Sequence, residues 1–211
     1  PMFDALFFDL DGTLIDTESI ALQSNLAVFS ALGHPVEPAF LHGLVGRDGP
    51  SSAAMIRAHL PDIDLGRLES ELNDAFYREV ERGLQLKPGA ADLLAATEGA
   101  RRALVTSTGR AGALRKLEIA GLAGRFDTVI TRDDVAAAKP APEPYLLAAE
   151  RLGIAPARAL VFEDSDTGAE SGHRAGCTVV QVPDMLVPTG RWAHHVAPDL
   201  LTGARMAGLV V

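Results

Sequence analysis

Ala5-Leu6-Phe7-Phe8-Asp9-Leu10-Asp11-Gly12-Thr13 joins a short apolar run to two aspartates and a glycine. Residues 5–10 read as a buried strand, because an unbroken apolar run suits a strand covered on both faces. Asp9 and Asp11 project the same way if the strand continues, and diverge if the chain turns at Gly12. At the carboxyl end of a strand, Asp9 is placed to attack and Asp11 to give or take a proton. The plain alternative is a strand that closes in an ordinary Asp-Gly turn.

Further apolar runs of the same kind lie at 103–106, 127–131, 159–162 and 177–182. Helix-like segments alternate with them at 89–98, 110–119, 143–152 and 167–175. Strands alternating with helices predict an α/β fold with a doubly wound parallel sheet. Ligands of such sheets bind beyond the carboxyl ends of the strands, near the switch in strand order.

One region departs from the alternation. From about Thr17 to Leu86 the pattern is helical throughout. Leu22, Leu26, Phe29 and Leu32 share one helix face, as do Leu65, Leu68, Leu72, Phe76 and Val80. Gly83 is placed to end the second of these helices, and Pro61 and residues 43–50 punctuate the middle. The expected organisation is a core of residues 1–15 and 88–211 with a small all-helical insert at 16–87.

The chemistry-bearing residues fall at strand ends. Glu163, Asp164 and Asp166 follow the run at 159–162. With Asp9, such carboxylates repel one another unless a cation compensates them, and a hard ion such as Mg²⁺ suits oxygen donors. An acidic loop capping the next helix, with Asp166 as the cap, is the alternative. Thr106 and Ser107 close the second run just before a helix, where a hydroxyl and backbone N–H groups can receive phosphate oxygens or simply cap the helix. Lys139 follows the third run. The chain has only three lysines, Lys87, Lys116 and Lys139, beside sixteen arginines. A lysine in such a chain points to a need for a compact point charge, with a phosphate oxygen or a carboxylate as partner. A solvated loop lysine is the alternative.

Composition narrows the class. The chain has 211 residues, 47% of them hydrophobic, and a formal net charge of −9. That charge argues against nucleic-acid binding, and no apolar run reaches the roughly 18 residues of a membrane span. Without a secretory leader and with one cysteine, Cys177, a cytoplasmic protein is expected. A P-loop, a dinucleotide-binding glycine motif and a G-x-S-x-G elbow are all missing.

Taken in order, four segments resemble the four motifs of the haloacid dehalogenase superfamily: DLDGTLIDTE from Asp9, VTST from Val105, AKPAPEPY from Ala138 and FEDSDTGAESGHRAG from Phe162. The insert resembles the small helical cap of the subgroup that contains phosphoglycolate and sugar-phosphate phosphatases. The resemblance implies a phosphatase acting on a small phosphorylated metabolite through an aspartyl phosphate. Asp9 is then the nucleophile, Asp11 the general acid/base, and Thr106 with Ser107 the phosphoryl binders. Lys139 orients Asp9 and offsets phosphoryl charge. Mg²⁺ is held by Asp9, the backbone carbonyl of Asp11, Asp164 and Glu163, the last directly or through water. Arg47 lies where relatives place a substrate-facing loop and is a candidate phosphate or carboxylate binder, with an ordinary surface arginine as the alternative. The histidines at 34, 42, 59, 194 and 195 read as structural or solvated, and Cys177 as a core residue. A monomer is expected.

The nearest enzymatic rival is a phosphomutase that resembles β-phosphoglucomutase. Three positions favour hydrolysis: Thr13, where such mutases tend to carry valine; Ala21, at the site of their cap histidine; and an insert without lysine at 17–86. The absent lysine also counts against a phosphonoacetaldehyde hydrolase, and Asp11 counts against a dehalogenase. A catalytically silent phosphometabolite-binding module is the non-enzymatic alternative, expected to have lost Asp9, Asp11 or the acidic pair.

Overall fold

A computed structural model describes residues 2–45 and 49–211. The chain divides into two compact units, one formed by residues up to Asp16 with those from Leu84 on, the other by Thr17–Gly83.

The larger unit is built on a parallel sheet whose strands, in chain order, are β1 (Ala5–Phe8), β2 (Arg101–Val105), β3 (Thr128–Ile130), β4 (Ala159–Glu163), β5 (Thr178–Gln181) and β6 (His195–Val196). Their spatial order is β3-β2-β1-β4-β5-β6, with every neighbouring pair parallel. The chain therefore builds outward from β1 in one direction, then crosses over and builds outward in the other. The reversal opens a crevice at the carboxyl ends of β1 and β4, where ligands of such sheets are received.

Alternate strand residues serve two cores. Leu6, Phe8, Leu104, Leu160, Phe162 and Val180 face one, and Ala5, Phe7, Ala103, Val161 and Val179 face the other. Helices α5 (Ala90–Ala96), α6 (Arg110–Ile119) and α9 (Leu200–Met206) cover the first face. Helices α7 (Glu143–Leu152) and α8 (Asp166–Arg174) cover the second. Burial on both sides explains the unbroken apolar runs. Phe8 and Phe162 stack at 5.0 Å between centroids, locking β1 against β4 next to the crevice.

The expected strands and helices are present, with shifted ends. β1 stops at Phe8 instead of continuing to Leu10, because the carbonyl of Leu10 accepts from the N–H groups of Thr13, Leu14 and Ile15 and turns the chain. β6 and α9 add to the expected set. β6 is two residues long and α9 seven, too short to generate a clear period.

The smaller unit contains α1 (Thr17–Ala31), α2 (Pro38–His42), α3 (Gly49–His59) and α4 (Leu65–Arg82). Val28, Phe29, Leu41, Ile56, Ile63 and Leu68 form its core, with Leu22, Leu26, Leu32, Leu65 and Leu72 packed around them. Asp64 caps α4 by accepting from the N–H of Arg67, and Gly83 ends it with a positive φ of 142°. The two ends of the insert leave the larger unit side by side. Ile15 bridges antiparallel to Leu86, and the N–H of Asp16 donates to Gln85 at 2.9 Å.

Gly168 is required by packing. A Cβ on Gly168, in the first turn of α8, would lie 2.0 Å from the Glu163 carboxyl. The missing side chain lets the helix sit directly on the acid that ends β4. Gly168→Ala should therefore cost about 1–3 kcal/mol of stability through overpacking. Urea unfolding measures it, and an unchanged midpoint would mean that Glu163 can move aside freely.

Candidate active site

A cavity of about 320 Å³ opens at the carboxyl ends of β1 and β4. It is lined by Asp9, Asp11, Thr106, Ser107, Lys139, Glu163 and Asp164, among others. Residues that span 155 positions of sequence, the difference between 164 and 9, thus meet at one sheet edge. Arg47 lies outside the described residues.

Asp9 directly follows β1, and its N–H continues the ladder by donating to the carbonyl of Phe162 at 3.0 Å. Its carboxylate accepts from Lys139 Nζ at 2.8 Å. The same ammonium donates to Glu163 Oε1 at 2.6 Å and to the carbonyl of Val105 at 2.8 Å. Three bonds saturate the three donors of a lysine ammonium. Tyr145, buried on α7, donates its hydroxyl to the same Glu163 oxygen at 2.5 Å.

Asp11 behaves differently. It stands in the turn beyond β1 and accepts from Thr108 Oγ1 at 2.7 Å on one oxygen and from Lys116 Nζ at 2.6 Å on the other. Thr106 accepts from the N–H of Thr108 at 3.1 Å through its hydroxyl oxygen, so its own proton points elsewhere. Gly12 takes a φ of 79°, and a Cβ there would lie 2.6 Å from Asp164 Oδ2. Both facts make glycine obligatory in this turn.

Carboxylate oxygens of Asp9, Glu163 and Asp164 lie within 4.8 Å of one another. Burial first, and then the charge of Glu163, push the Asp9 carboxyl up from its ordinary range, against the pull of Lys139. Burial followed by the charges of Asp9 and Glu163 does the same to Asp164. For Lys139, burial favours the neutral amine, but Asp9 and Glu163 outweigh it and raise its pKa. The Tyr145 phenol is pushed well up, chiefly by burial, and remains a donor. One ammonium thus bonds two of three crowded acids, Asp9 and Glu163. The donor set is entirely hard oxygen, which suits an alkaline-earth cation rather than a soft metal.

Asp166 is not the helix cap. Ser165 caps α8 by accepting from the N–H of Gly168 at 3.1 Å. Asp166 instead accepts from Gln181 Nε2 and from the N–H of Thr189, tying down the segment after β5. The histidine pair at 194–195 is structural in part: His194 Nδ1 accepts from the N–H of Val179 at 3.0 Å. Cys177 is buried, and burial pushes its thiol up to about 12.

Sequence reasoning missed Lys116, Thr108, Tyr145 and the pair Lys87–Asp184, whose atoms lie 2.7 Å apart. A signal for Lys116 existed. It falls three residues after Ala113 and one before Leu117, on the buried stripe of α6, where a lysine needs an acidic partner. Nothing local marks Asp184.

The raised Asp164 has a consequence for stability. A folded carboxyl whose pKa exceeds its unfolded value binds protons more tightly when folded, so stability falls as pH rises above the ordinary carboxylate range. Asparagine at 164 escapes that loss. In chelator, Asp164→Asn should melt higher than wild type, by a margin that grows from about pH 5 to about pH 8. Added Mg²⁺ should raise the wild-type melting temperature and leave the variant nearly unmoved. A variant less stable than wild type in chelator at every pH would contradict the crowding of the three acids.

Comparison with known proteins shows the family of the chain. The model of haloacid dehalogenase-like hydrolases matches residues 3–176. Hexitol phosphatase A of Escherichia coli is 35% identical over 83% of this chain and 81% of its own length. Fructose-1-phosphate phosphatase YqaB of the same organism is 31% identical over 85% of this chain and 96% of its own. A Thermotoga maritima crystal structure, provisionally described as a β-phosphoglucomutase, superposes with a TM-score of 0.83 at 27% identity, covering 98% of this chain and all of the other. With a family match across most of its length and the four motifs gathered at one sheet edge, the chain belongs to the haloacid dehalogenase-like hydrolases.

Proposed function

We propose that this chain is a Mg²⁺-dependent phosphatase that hydrolyses a small phosphomonoester, of the sugar-phosphate or phosphoglycolate type, through an aspartyl phosphate on Asp9. The observation that carries the reading is the placement of Asp9. It lies in one cavity with Thr106, Ser107 and Asp11, bonded to the buried ammonium of Lys139. Two relatives are named for phosphatases of a ketose phosphate and of hexitol phosphates, which favours a polyol phosphate as substrate.

Phosphoryl transfer asks for positioning and charge compensation more than for elaborate covalent chemistry. Asp9 attacks phosphorus while Thr106, Ser107 and nearby backbone N–H groups hold the phosphoryl oxygens. Lys139 orients Asp9 and offsets charge on the transferring group. Asp11 protonates the departing ester oxygen, then takes a proton from the water that hydrolyses the aspartyl phosphate. Mg²⁺ would be held by Asp9, Asp164, the backbone carbonyl of Asp11 and Glu163, and would neutralise phosphoryl charge. One Glu163 oxygen already receives Lys139 and Tyr145, which favours contact through its other oxygen or through water. The helical insert, Thr17–Gly83 in the structure, is read as a cap that excludes bulk water during the reaction.

Mutase activity is the second reading, favoured by the likeness to the Thermotoga structure. Thr13, Ala21 and the lysine-free stretch 17–86 favour hydrolysis. Without the histidine and lysine that such mutase caps use, the insert has less means to keep a bisphosphate while it reorients.

Chelation should abolish phosphate release from sugar phosphates, and Mg²⁺ should restore it. Acid-quenched mass spectrometry should find transient phosphate on Asp9 and none in Asp9→Asn. Reproducible labelling of a serine or threonine, or full activity after thorough chelation, would reject the mechanism. Incubation with β-glucose 1-phosphate and a trace of the 1,6-bisphosphate should yield inorganic phosphate faster than glucose 6-phosphate. The reverse order would identify a mutase.

A further inference from the structure

Asp11 is held differently from Asp9. It lies past the end of β1, and its side chain is 26% exposed where that of Asp9 is 10% exposed. The sheet ladder that fixes Asp9 does not reach it. Its orientation instead comes from Thr108 Oγ1 on Oδ2 and Lys116 Nζ on Oδ1. Both belong to the segment that leaves β2 and forms α6, which also carries Thr106. The N–H of Thr108 donates to the Thr106 hydroxyl. One continuous piece of chain therefore holds both the candidate phosphoryl-binding hydroxyl and the clamp on the candidate acid/base.

Lys116 is costly as a packing residue. Its side chain is 7% exposed, on a helix face shared with buried Ala113 and Leu117. Burying an ammonium is expensive, and an apolar side chain would fill such a face at lower cost. Its value lies in what it does to Asp11.

We infer that Lys116 and Thr108 are positioning residues for proton transfer, holding Asp11 so that Oδ2 carries the exchanged proton. The inference rests on the hydrolase reading. Lys116 has donors only, so it bonds Oδ1 whether Asp11 is charged or neutral. The proton of the neutral carboxyl is thereby directed to Oδ2. Thr108 can both donate and accept, so it turns its hydroxyl to suit either state. In the first half-reaction an Asp9 oxygen bonds to phosphorus. The ester P–O bond breaks, and the leaving oxygen keeps the electron pair and takes the proton from Oδ2. In the second half-reaction water bonds to phosphorus and returns a proton to Oδ2. The bond from Asp9 to phosphorus breaks with its pair returned to Asp9.

A misaligned acid harms esters with poor leaving groups most. p-Nitrophenol departs as a stabilised anion, whereas phenol, with a pKa of about 10, needs the proton. The two phosphates have nearly the same shape. The measured quantity is the ratio of kcat/KM for phenyl phosphate to that for p-nitrophenyl phosphate, with Mg²⁺ present. General acid catalysis is worth about 10²–10⁴-fold, so Lys116→Met and Thr108→Val should each lower the ratio by about tenfold, in the direction of Asp11→Asn. A purely structural role would depress both esters alike. An unchanged ratio in variants with wild-type circular dichroism overturns the inference, and Thr108→Val alone decides it if Lys116→Met does not fold. Wild-type protein that cleaves neither ester overturns the hydrolase reading itself, a separate result.

Discussion

The ammonium of Lys139 is the point on which the site depends. Buried beneath the crevice, it donates to Asp9, to Glu163 and to the carbonyl that ends β2. Its three donors join the loop after β3 to the ends of β1, β2 and β4, so four separate parts of the chain share one nitrogen. Low local polarity strengthens each bond and raises the cost of losing it. Without that cation, Asp9 and Glu163 would lose the one ammonium that bonds them both. Burial and mutual repulsion already push Asp9 and Asp164 upward with the cation in place. The remaining excess of negative charge makes the crevice receptive to a divalent cation.

This economy of cations runs through the larger unit. Each of the three lysines pairs with an aspartate: Lys87 with Asp184, Lys116 with Asp11, and Lys139 with Asp9. Arginines more often sit in exposed pairs, such as Arg82 with Glu79 and Arg115 with Glu118, where the gain is small. A lysine ammonium is a compact charge that fits between carboxylates at a crowded strand end, where a planar guanidinium demands more room. Arg102 shows what the alternative requires. Its buried guanidinium bonds Leu94 O and Thr97 Oγ1 on the helix side of the sheet, away from the crevice.

Much of this was legible in the residues. The runs at 5–10 and 159–162 announced strands buried on both faces, and their two core faces confirm why the runs were unbroken. The spacing of Leu22, Leu26, Phe29 and Leu32 announced a helix against a core, and α1 packs that way. Lys139 stood out through the scarcity of lysine, which is an effect of composition and needs no coordinates. By contrast, β6 was illegible because two residues carry no period. The alternative of Asp166 as the cap of α8 fails because Ser165, one residue earlier, meets the same requirement with a shorter side chain.

The residues alone determined the fold class, the helical nature of the insert and the identity of the acids, because periodicity and residue type are local properties. The tertiary structure alone decided who bonds to whom. Lys116 meets Asp11 across 105 residues, and Lys87 meets Asp184 across 97. No local pattern encodes a partner at that separation. The order of strands does, since the reversal at β1 places the ends of β1, β2 and β4 side by side. Which carboxylate a buried ammonium neutralises is therefore a consequence of topology, and the reactivity of each acid follows from that choice.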